Sequence, residues 1–238
     1  SEGVNAPVLL LQSIGGGGGR LALVFEDAQG QIDRADYTLG ALRGSANRGG
    51  SILHNQSGRI DALGQLSFGM IAQSIGGGGG MSSWILPGQT ARLAMPRTAG
   101  RSAAPMAAFA AAPAAVPTFT LGADAAVGAD GANVAITRNG ASRSSGDLTA
   151  TLIFQSIGGG GGVQVVSGAP DIAVALGGRN GTTGSGGEVR LVNDGAVVAE
   201  GASSSAIFLQ SIGGGGGTVL SDASNVALSF STANSGNG

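Results

Sequence analysis

The octapeptide Gln-Ser-Ile-Gly-Gly-Gly-Gly-Gly occurs four times in the chain, and its copies begin at Gln12, Gln73, Gln155 and Gln210. Successive copies are 61, 82 and 55 residues apart. The similarity extends upstream into three blocks of 31 residues that align without a gap, namely 50–80, 132–162 and 187–217. A sequence that repeats at such intervals is typical of proteins in which one structural unit packs on the next.

Two further glycine positions recur upstream of the octapeptide. One lies fifteen residues before the glutamine and the other lies nine residues before it. We predict a structural role for these glycines and for the Gln-Ser-Ile that begins each octapeptide, because their spacing is the same in the aligned blocks. The predicted set is Gln12, Ser13, Ile14, Gln73, Ser74, Ile75, Gln155, Ser156, Ile157, Gln210, Ser211, Ile212, Gly58, Gly64, Gly140, Gly146, Gly195 and Gly201.

The local pattern within a repeat predicts short strands. The clearest copy alternates β-branched runs with the turn residues 193–195 and 200–204, and each run is four to seven residues long. Glycine and asparagine tolerate positive φ in turns, whereas helical periodicity is weak throughout. We therefore expect an all-β fold, and we favour a parallel β-helix or solenoid with pentaglycine segments. A β-sandwich has similar strand spacing but does not explain why the same turn positions recur.

The length of the repeat suggests several coils. If coils stack at about 4.8 Å, each repeat is expected to hold two to four of them plus insertions. The repeat pattern is lost between Ala91 and Pro117, which is rich in alanine and proline. We therefore divide the chain into solenoid repeats over 1–80, an insertion over 81–120 and solenoid repeats over 121–238. Both ends fall partway through a repeat, so we expect an excerpt of a longer array.

The strand before each pentaglycine is apolar at three consecutive positions, as in Leu152-Ile153-Phe154 and Ile207-Phe208-Leu209. A strand with one solvated face should alternate, so a continuous run indicates burial on both faces. An insertion, a neighbouring chain or the glycine segment folded back could supply the cover.

The composition excludes several functional classes. Charged residues make up 11% of the chain and the net charge is −2, which argues against a nucleic-acid partner. The chain has no cysteine and one histidine, His54. In the aligned blocks the position of His54 is occupied by Ile136 and Leu191, so we expect the histidine to be a packed structural residue. We expect no enzyme, because Glu26, Asp27, Asp33 and Asp36 lie in a polar segment without catalytic partners.

The sequence indicates no cofactor and no metal. The pentaglycines are not followed by the Lys-Ser/Thr pair of a phosphate-binding loop. Asp124, Asp130 and Asp194 lie in glycine-containing turns, where side-chain hydrogen bonding to the backbone accounts for them without calcium. The repeated glutamines and serines are instead expected to form hydrogen-bonded ladders between equivalent positions.

The octapeptide, with upstream segments such as Ser204–Ile212 and Thr149–Ile157, resembles the passenger regions of large Gram-negative autotransporter proteins. The resemblance implies a right-handed parallel β-helix that is displayed on the outside of the outer membrane or secreted. It also implies that membrane anchoring takes place only through parts absent from this chain.

The expected function is therefore a non-enzymatic segment at the cell surface that serves either as a structural stalk or as an adhesin. In the second case its expected partner is an unidentified ligand on a host or neighbouring cell. The alternative is a self-assembling structural protein, in which glycine-rich and apolar strands pack between chains into a filament or surface layer. Low charge and open strand edges favour such self-association.

Overall fold

The structure of the chain is a computed structural model that describes residues 1–24, 36–40, 47–85, 118–122, 129–168, 171–177, 184–223, 225–230 and 237–238. Within these ranges it holds eighteen β-strands and no helix, so the prediction of an all-β fold is confirmed. No helix able to cross a bilayer occurs in the same ranges.

The strands form five sheets, each built from one kind of strand. The first sheet holds β1 Leu9–Ile14, β6 Met70–Ile75, β11 Ala150–Ile157 and β16 Ser205–Ile212. The second holds β2 Gly18–Val24, β7 Gly79–Ile85, β12 Gly161–Ser167 and β17 Gly216–Ser221. The third holds β3 Asp36–Leu39, β8 Thr118–Leu121, β13 Asp171–Leu176 and β18 Asn225–Phe230. The fourth holds β4 Ile52–Ser57, β9 Val134–Asn139 and β14 Val189–Asp194, and the fifth holds β5 Ile60–Ala62, β10 Ser142–Ser144 and β15 Val197–Ala199.

Every pairing is parallel and joins equivalent residues of successive repeats. Gln12 lies opposite Gln73, Gln73 opposite Gln155, and Gln155 opposite Gln210. The gap-free alignment of the repeat blocks thus gives the strand register. The expectation of two to four coils per repeat is wrong for the described residues, because no repeat supplies more than one strand to any sheet and each strand pairs with its equivalent in the next repeat.

The sheets are stacked in four layers with three apolar cores between them. The first core lies between the first sheet and the combined fourth and fifth sheets, and includes Met70, Phe154 and Ile136. The second lies between the first and second sheets, and includes Ile71 and Val163. The third lies between the second and third sheets, where Trp84, Phe119 and Tyr37 pack with ring centroids 5.0 to 6.4 Å apart.

This layering explains the continuous apolar runs before the pentaglycines. The first sheet is an inner layer, and every residue of β6 and β11 is buried. Burial on both faces is therefore confirmed for these two strands. The chain that follows the glycines folds back to cover one face, and the strands upstream of the run cover the other.

The predicted insertion begins and ends inside the sheets. β7 continues to Ile85, and β8 begins at Thr118, so both ends of 81–120 belong to strands. Residues 86–117, which carry the alanine- and proline-rich stretch, lie outside the described residues.

A left-handed residue precedes the first sheet in every repeat. Asn5, Leu66, Leu148 and Ser203 each lie seven residues before the glutamine and have φ between 53° and 55°. None of them is glycine, so each carries the steric penalty of this conformation. The repeated turn that leads into the first sheet depends on this position, which the sequence comparison did not single out.

We predict that Ser203→Gly stabilises the protein, because Ser203 is exposed and its φ of 53° suits glycine. The free energy of unfolding should rise by about 0.5 kcal/mol in urea denaturation. The matched control is Ser205→Gly, at an exposed strand position, which should lower it by about 0.5–1 kcal/mol. A loss of stability in both variants would show that the left-handed turn is not formed.

Candidate functional site

The four glutamines form one continuous ladder of side-chain hydrogen bonds. Gln12 Nε2 donates to Gln73 Oε1 over 2.7 Å, Gln73 Nε2 donates to Gln155 Oε1 over 2.8 Å, and Gln155 Nε2 donates to Gln210 Oε1 over 2.6 Å. Gln73 and Gln155 are completely buried. Each inner amide thus both donates and accepts along the ladder, which satisfies polar groups that would otherwise destabilise the interior.

The ladder lies between the first and second sheets. Gln73 follows Ile71 on the same face of β6, and Ile71 belongs to the core between these sheets. Gln155 Nε2 also contacts Thr218 Oγ1 on β17 at 3.2 Å, and Thr218 donates to Gln210 Oε1 at 3.0 Å. The amides therefore join strands of the same sheet and also join the two sheets across the core.

The serines are linked through the backbone and not directly to one another. Gly50 N–H donates to Ser13 Oγ, Ser74 Oγ–H donates to Gly50 C=O, and Ala132 N–H donates to Ser74 Oγ, over 2.8 to 2.9 Å. Ser156 Oγ–H then donates to Ala132 C=O, and Gly187 N–H donates to Ser156 Oγ. The expected direct serine ladder is replaced by a relay in which hydroxyls alternate with peptide groups at the start of each repeat block.

The isoleucines of the octapeptide pack beside pentaglycine segments, either that of their own copy, as Ile212 does at Gly216, or that of the next copy. Ile75 and Ile157 are completely buried, whereas Ile14 and Ile212 in the outer copies are half-buried. The Cδ1 atom of Ile14 lies 3.0 Å from where a Cβ on Gly80 would stand. The apolar side chain therefore occupies the space that the missing side chain of Gly80 leaves.

The pentaglycine is a bend that continues into a strand. In each copy the second to fifth glycines have positive φ, as in Gly77 at 82°, Gly78 at 86°, Gly79 at 123° and Gly80 at 130°. An extended polyproline II conformation, which the sequence alone leaves open for a run of glycines, has φ near −75° and is excluded by these angles. Gly79 and Gly80 already belong to β7. Only glycine adopts such a series of angles without strain.

The atoms packed around the pentaglycine residues also leave no room for side chains. A Cβ on Gly161 would overlap the carbonyl oxygen of Gly216 in the next repeat, and a Cβ on Gly162 would overlap that of Gly80 in the preceding one. Gly161 N–H donates to Gly78 C=O over 3.1 Å. The glycine segments thus form backbone-to-backbone columns along the stack.

Both upstream glycine positions are points of close approach between repeats, since a Cβ on Gly140 or Gly195 would overlap the carbonyl oxygen of Gly58 or Gly140, but only the first position also needs a left-handed backbone. Gly58, Gly140 and Gly195 have φ of 95°, 132° and 148°, so they are needed for a turn. Gly64, Gly146 and Gly201 do not have a left-handed φ, but a Cβ on each would overlap the carbonyl oxygen of Gly3, Gly64 or Gly146 in the preceding repeat. At the second position, close approach alone requires glycine.

One buried cation lies on the inner face of the fourth sheet. Arg138 is 1% exposed, and its guanidinium donates to Gln56 Oε1 at 3.1 Å and to Asn193 Oδ1 at 3.4 Å in the flanking repeats. Burial lowers the pKa of Arg138 from its ordinary value. Its partners are neutral amides, so Arg138 bridges three repeats without an ion pair in the described part of the chain. The composition did not point to this residue.

His54 lies in the same sheet, opposite Ile136 and, one strand further, Leu191. Its Nε2 is buried and has no hydrogen-bond partner among the described residues. The histidine therefore occupies an inward position that is otherwise apolar, which is the packed arrangement expected from the alignment.

The carboxylates that the structure describes do not gather into a site. Asp130 pairs with Arg48 at 3.0 Å and accepts from Ser185 N–H at 2.8 Å, as expected of an aspartate in a turn. Asp194 is exposed. No group of three His, Asp or Glu side chains that could hold a metal occurs in the described ranges. Glu26, Asp27, Asp33 and Asp124 lie outside these ranges, as does the side chain of Asp36.

An open groove of about 590 Å³ crosses three repeats where the chain enters the fourth sheet. Its lining is formed by the stacked segments 48–51, 130–133 and 185–187. Asn133 Oδ1 accepts from Glu188 N–H at 3.0 Å, and Asp130 is bound as described above. These two polar side chains are already used to join one repeat to the next, so the groove presents no convergent catalytic set.

Comparison of the chain with models of known protein families, with curated proteins and with solved structures finds no match.

We predict that Gln155→Glu destabilises the protein in a pH-dependent way. The carboxylate removes the donors to Gln210 and Thr218 and buries a charge, so its pKa should rise and stability should fall as the pH increases. The melting temperature relative to the native protein should be lowest near about pH 7 and should recover towards about pH 4. The control is Gln12→Glu, at the half-buried end of the ladder, where the effect should be much smaller.

We also predict that Gly161→Ala lowers the free energy of unfolding by about 3 kcal/mol or more, because the new methyl group meets backbone and not a movable side chain. Gly58→Ala is the matched control, since its φ is 95° but nothing lies within 4 Å of its Cβ. It should lose only about 1 kcal/mol. Equal losses in urea denaturation would mean that the glycine columns are not closely packed.

Proposed function

We propose that the five sheets together form a right-handed parallel β-solenoid with one coil per repeat. Support comes from the parallel pairing of each strand with its equivalent one repeat later, in all five sheets. The handedness follows the strong preference of parallel β crossover connections. The same pairing would continue in further repeats, which supports an excerpt of a longer array.

We further propose that the solenoid is a non-enzymatic structural or adhesive segment of a Gram-negative autotransporter-like passenger, displayed outside the outer membrane or secreted. The octapeptide resemblance supports this placement. The observation that carries the structural role is the continuity of the glutamine ladder through all four repeats. The repeated glutamines therefore hold the stack together and do not form a ligand-binding surface.

Adhesion, in this proposal, takes place on the outer layers. The solvent face of the fourth sheet carries Leu53, which is 81% exposed, beside exposed Asn55, Thr137 and Asn139. Leu53 lies opposite Ala135, and the same face carries exposed Arg190 and Asp194 on β14, so its surface mixes apolar, neutral polar and oppositely charged side chains. A broad, mixed surface of this kind suits contact with another cell surface through many weak interactions.

Surface labelling tests this function. Antibodies raised against the purified chain should label intact cells of the bacterium that encodes it, with a periplasmic protein as the control for leakage. Labelling only after permeabilisation would contradict surface display. Beads coated with the chain should then bind host or neighbouring cells and be displaced by free chain. Leu53→Asn should weaken this binding, whereas Ala175→Asn, on the outer face of the third sheet, should leave it unchanged.

A further inference from the structure

Two buried polar side chains lie on either side of one turn between the fourth and fifth sheets. Arg138 is the last inward residue of β9 before the turn and is 1% exposed. Ser142 is the first inward residue of β10 after the turn and is 2% exposed. Both β9 and β10 pair with a strand on each side, so the burial of these two residues comes from the flanking repeats.

The guanidinium of Arg138 is held by neutral acceptors. Besides the side-chain oxygens of Gln56 and Asn193, it donates from Nη2 to the carbonyl oxygen of Gly140 at 3.4 Å. The bonds to Asn193 and Gly140 are both 3.4 Å long, beyond the usual range of N–H···O hydrogen bonds. A guanidinium has five N–H donors, so it keeps donors for a further ligand. Because burying a charge without an opposite charge is costly, an anion beside it would stabilise the fold.

The described carboxylates do not supply that charge. Asp194 follows Asn193 on β14, but the alternation of the strand places its side chain on the solvent face. Glu200 is paired with Arg143 on the solvent side of the fifth sheet. Burial alone accounts for the lowered pKa of Arg138, whereas a nearby carboxylate would raise it. The positive charge of Arg138 is therefore not balanced within the described part of the chain.

The hydroxyl of Ser142 is a second unsatisfied group at the same turn. Its Oγ is buried and has no hydrogen-bond partner among the described residues. By contrast, the hydroxyl of Ser144, at the next inward position of β10, bonds to Thr151 Oγ1 at 2.7 Å. Protein interiors leave few polar groups unpaired, and a bound water or ion is a usual explanation for one that is. Ser142 therefore points independently to a ligand at this turn.

The flanking repeats carry neither of these two residues. Their equivalents are side-chain amides at the first position and branched aliphatic residues at the second, namely Gln56 and Asn193, and Ile60 and Val197. The repeat that gains a buried positive charge thus also exchanges a branched apolar side chain for a shorter one that can donate a hydrogen bond. Both changes fall on the inner side of the same turn, where together they supply a charge, a hydroxyl donor and space.

We propose that this turn binds a monovalent anion of halide size, held by the guanidinium of Arg138 and the hydroxyl of Ser142. A halide accepts hydrogen bonds from several donors and asks for none in return, which matches two side chains that both donate. Its single charge balances the single cation, whereas sulfate would bring two negative charges to one positive charge. Because Arg138 bridges three repeats, the bound anion would strengthen the stack. The proposal does not depend on the adhesion proposed above.

The test is scanning calorimetry of the purified chain in mixtures of sodium chloride and sodium methanesulfonate at constant ionic strength. Constant ionic strength keeps charge screening the same, so a change in melting temperature reports the binding of chloride itself. The melting temperature should rise by about 5 °C between about 1 mM and about 100 mM chloride if the dissociation constant is near about 1 mM. Bromide should have the same effect as chloride.

Two variants remove the proposed ligands of the anion. Arg138→Gln and Ser142→Val introduce residue types that the flanking repeats already carry at these positions, so both should fold. Each should abolish the rise in melting temperature with chloride. The matched control is Arg190→Gln, which removes an exposed arginine on β14 and should keep the rise unchanged.

Bromide soaked into crystals of the chain locates the ion, since its anomalous signal should give a peak between Arg138 and Ser142. A folded native chain whose melting temperature is the same at all chloride concentrations overturns the proposal. Bromide found only at exposed arginines overturns it as well. An equal rise in the native chain and in Arg138→Gln would show that chloride acts at another place, which also contradicts it.

Discussion

The close approach of glycine backbones in successive repeats is the constraint on which the rest of the structure depends. Gly161 and Gly216 are so near that a methyl group on one would overlap the carbonyl oxygen of the other, and Gly146 and Gly201 meet in the same way. Such columns form only if every repeat keeps the same backbone path. In-register strands, stacked amides and a shared core follow from this requirement, since equivalent side chains must then lie over one another.

Much of this arrangement could be predicted from the repeat itself. The gap-free blocks gave the register of the paired strands, the triple apolar runs gave burial on both faces, and the identical glutamines gave a ladder. Each follows from the chemistry of a single repeat, because the same residues recur at equivalent positions in the next one. The number of coils per repeat was misjudged, because strand length and turn chemistry do not reveal whether neighbouring strands pair with each other or with the next copy.

Other features could not be predicted from the sequence, because they arise between segments that are distant in the chain. The serine relay passes through peptide groups that carry no sequence signature, and the acceptors of Arg138 come from strands in two other repeats. The left-handed position is occupied by asparagine, leucine or serine, so no residue type marks it. The same reasoning bears on function: the repeated polar residues hold repeats together, and the proposed adhesion belongs to the outer faces.

The most direct test of in-register stacking uses the absence of cysteine from the chain. Asn55 and Thr137 are exposed and opposite each other on β4 and β9, about 4.8 Å apart between Cα atoms if the strands pair as described. Oxidation of the Asn55→Cys, Thr137→Cys variant should close a disulfide readily. Asn55→Cys with Asn139→Cys, about 8 Å apart, should not, because disulfides need Cα atoms within about 7 Å. A folded protein that forms the second disulfide and not the first would contradict the stacking of equivalent strands.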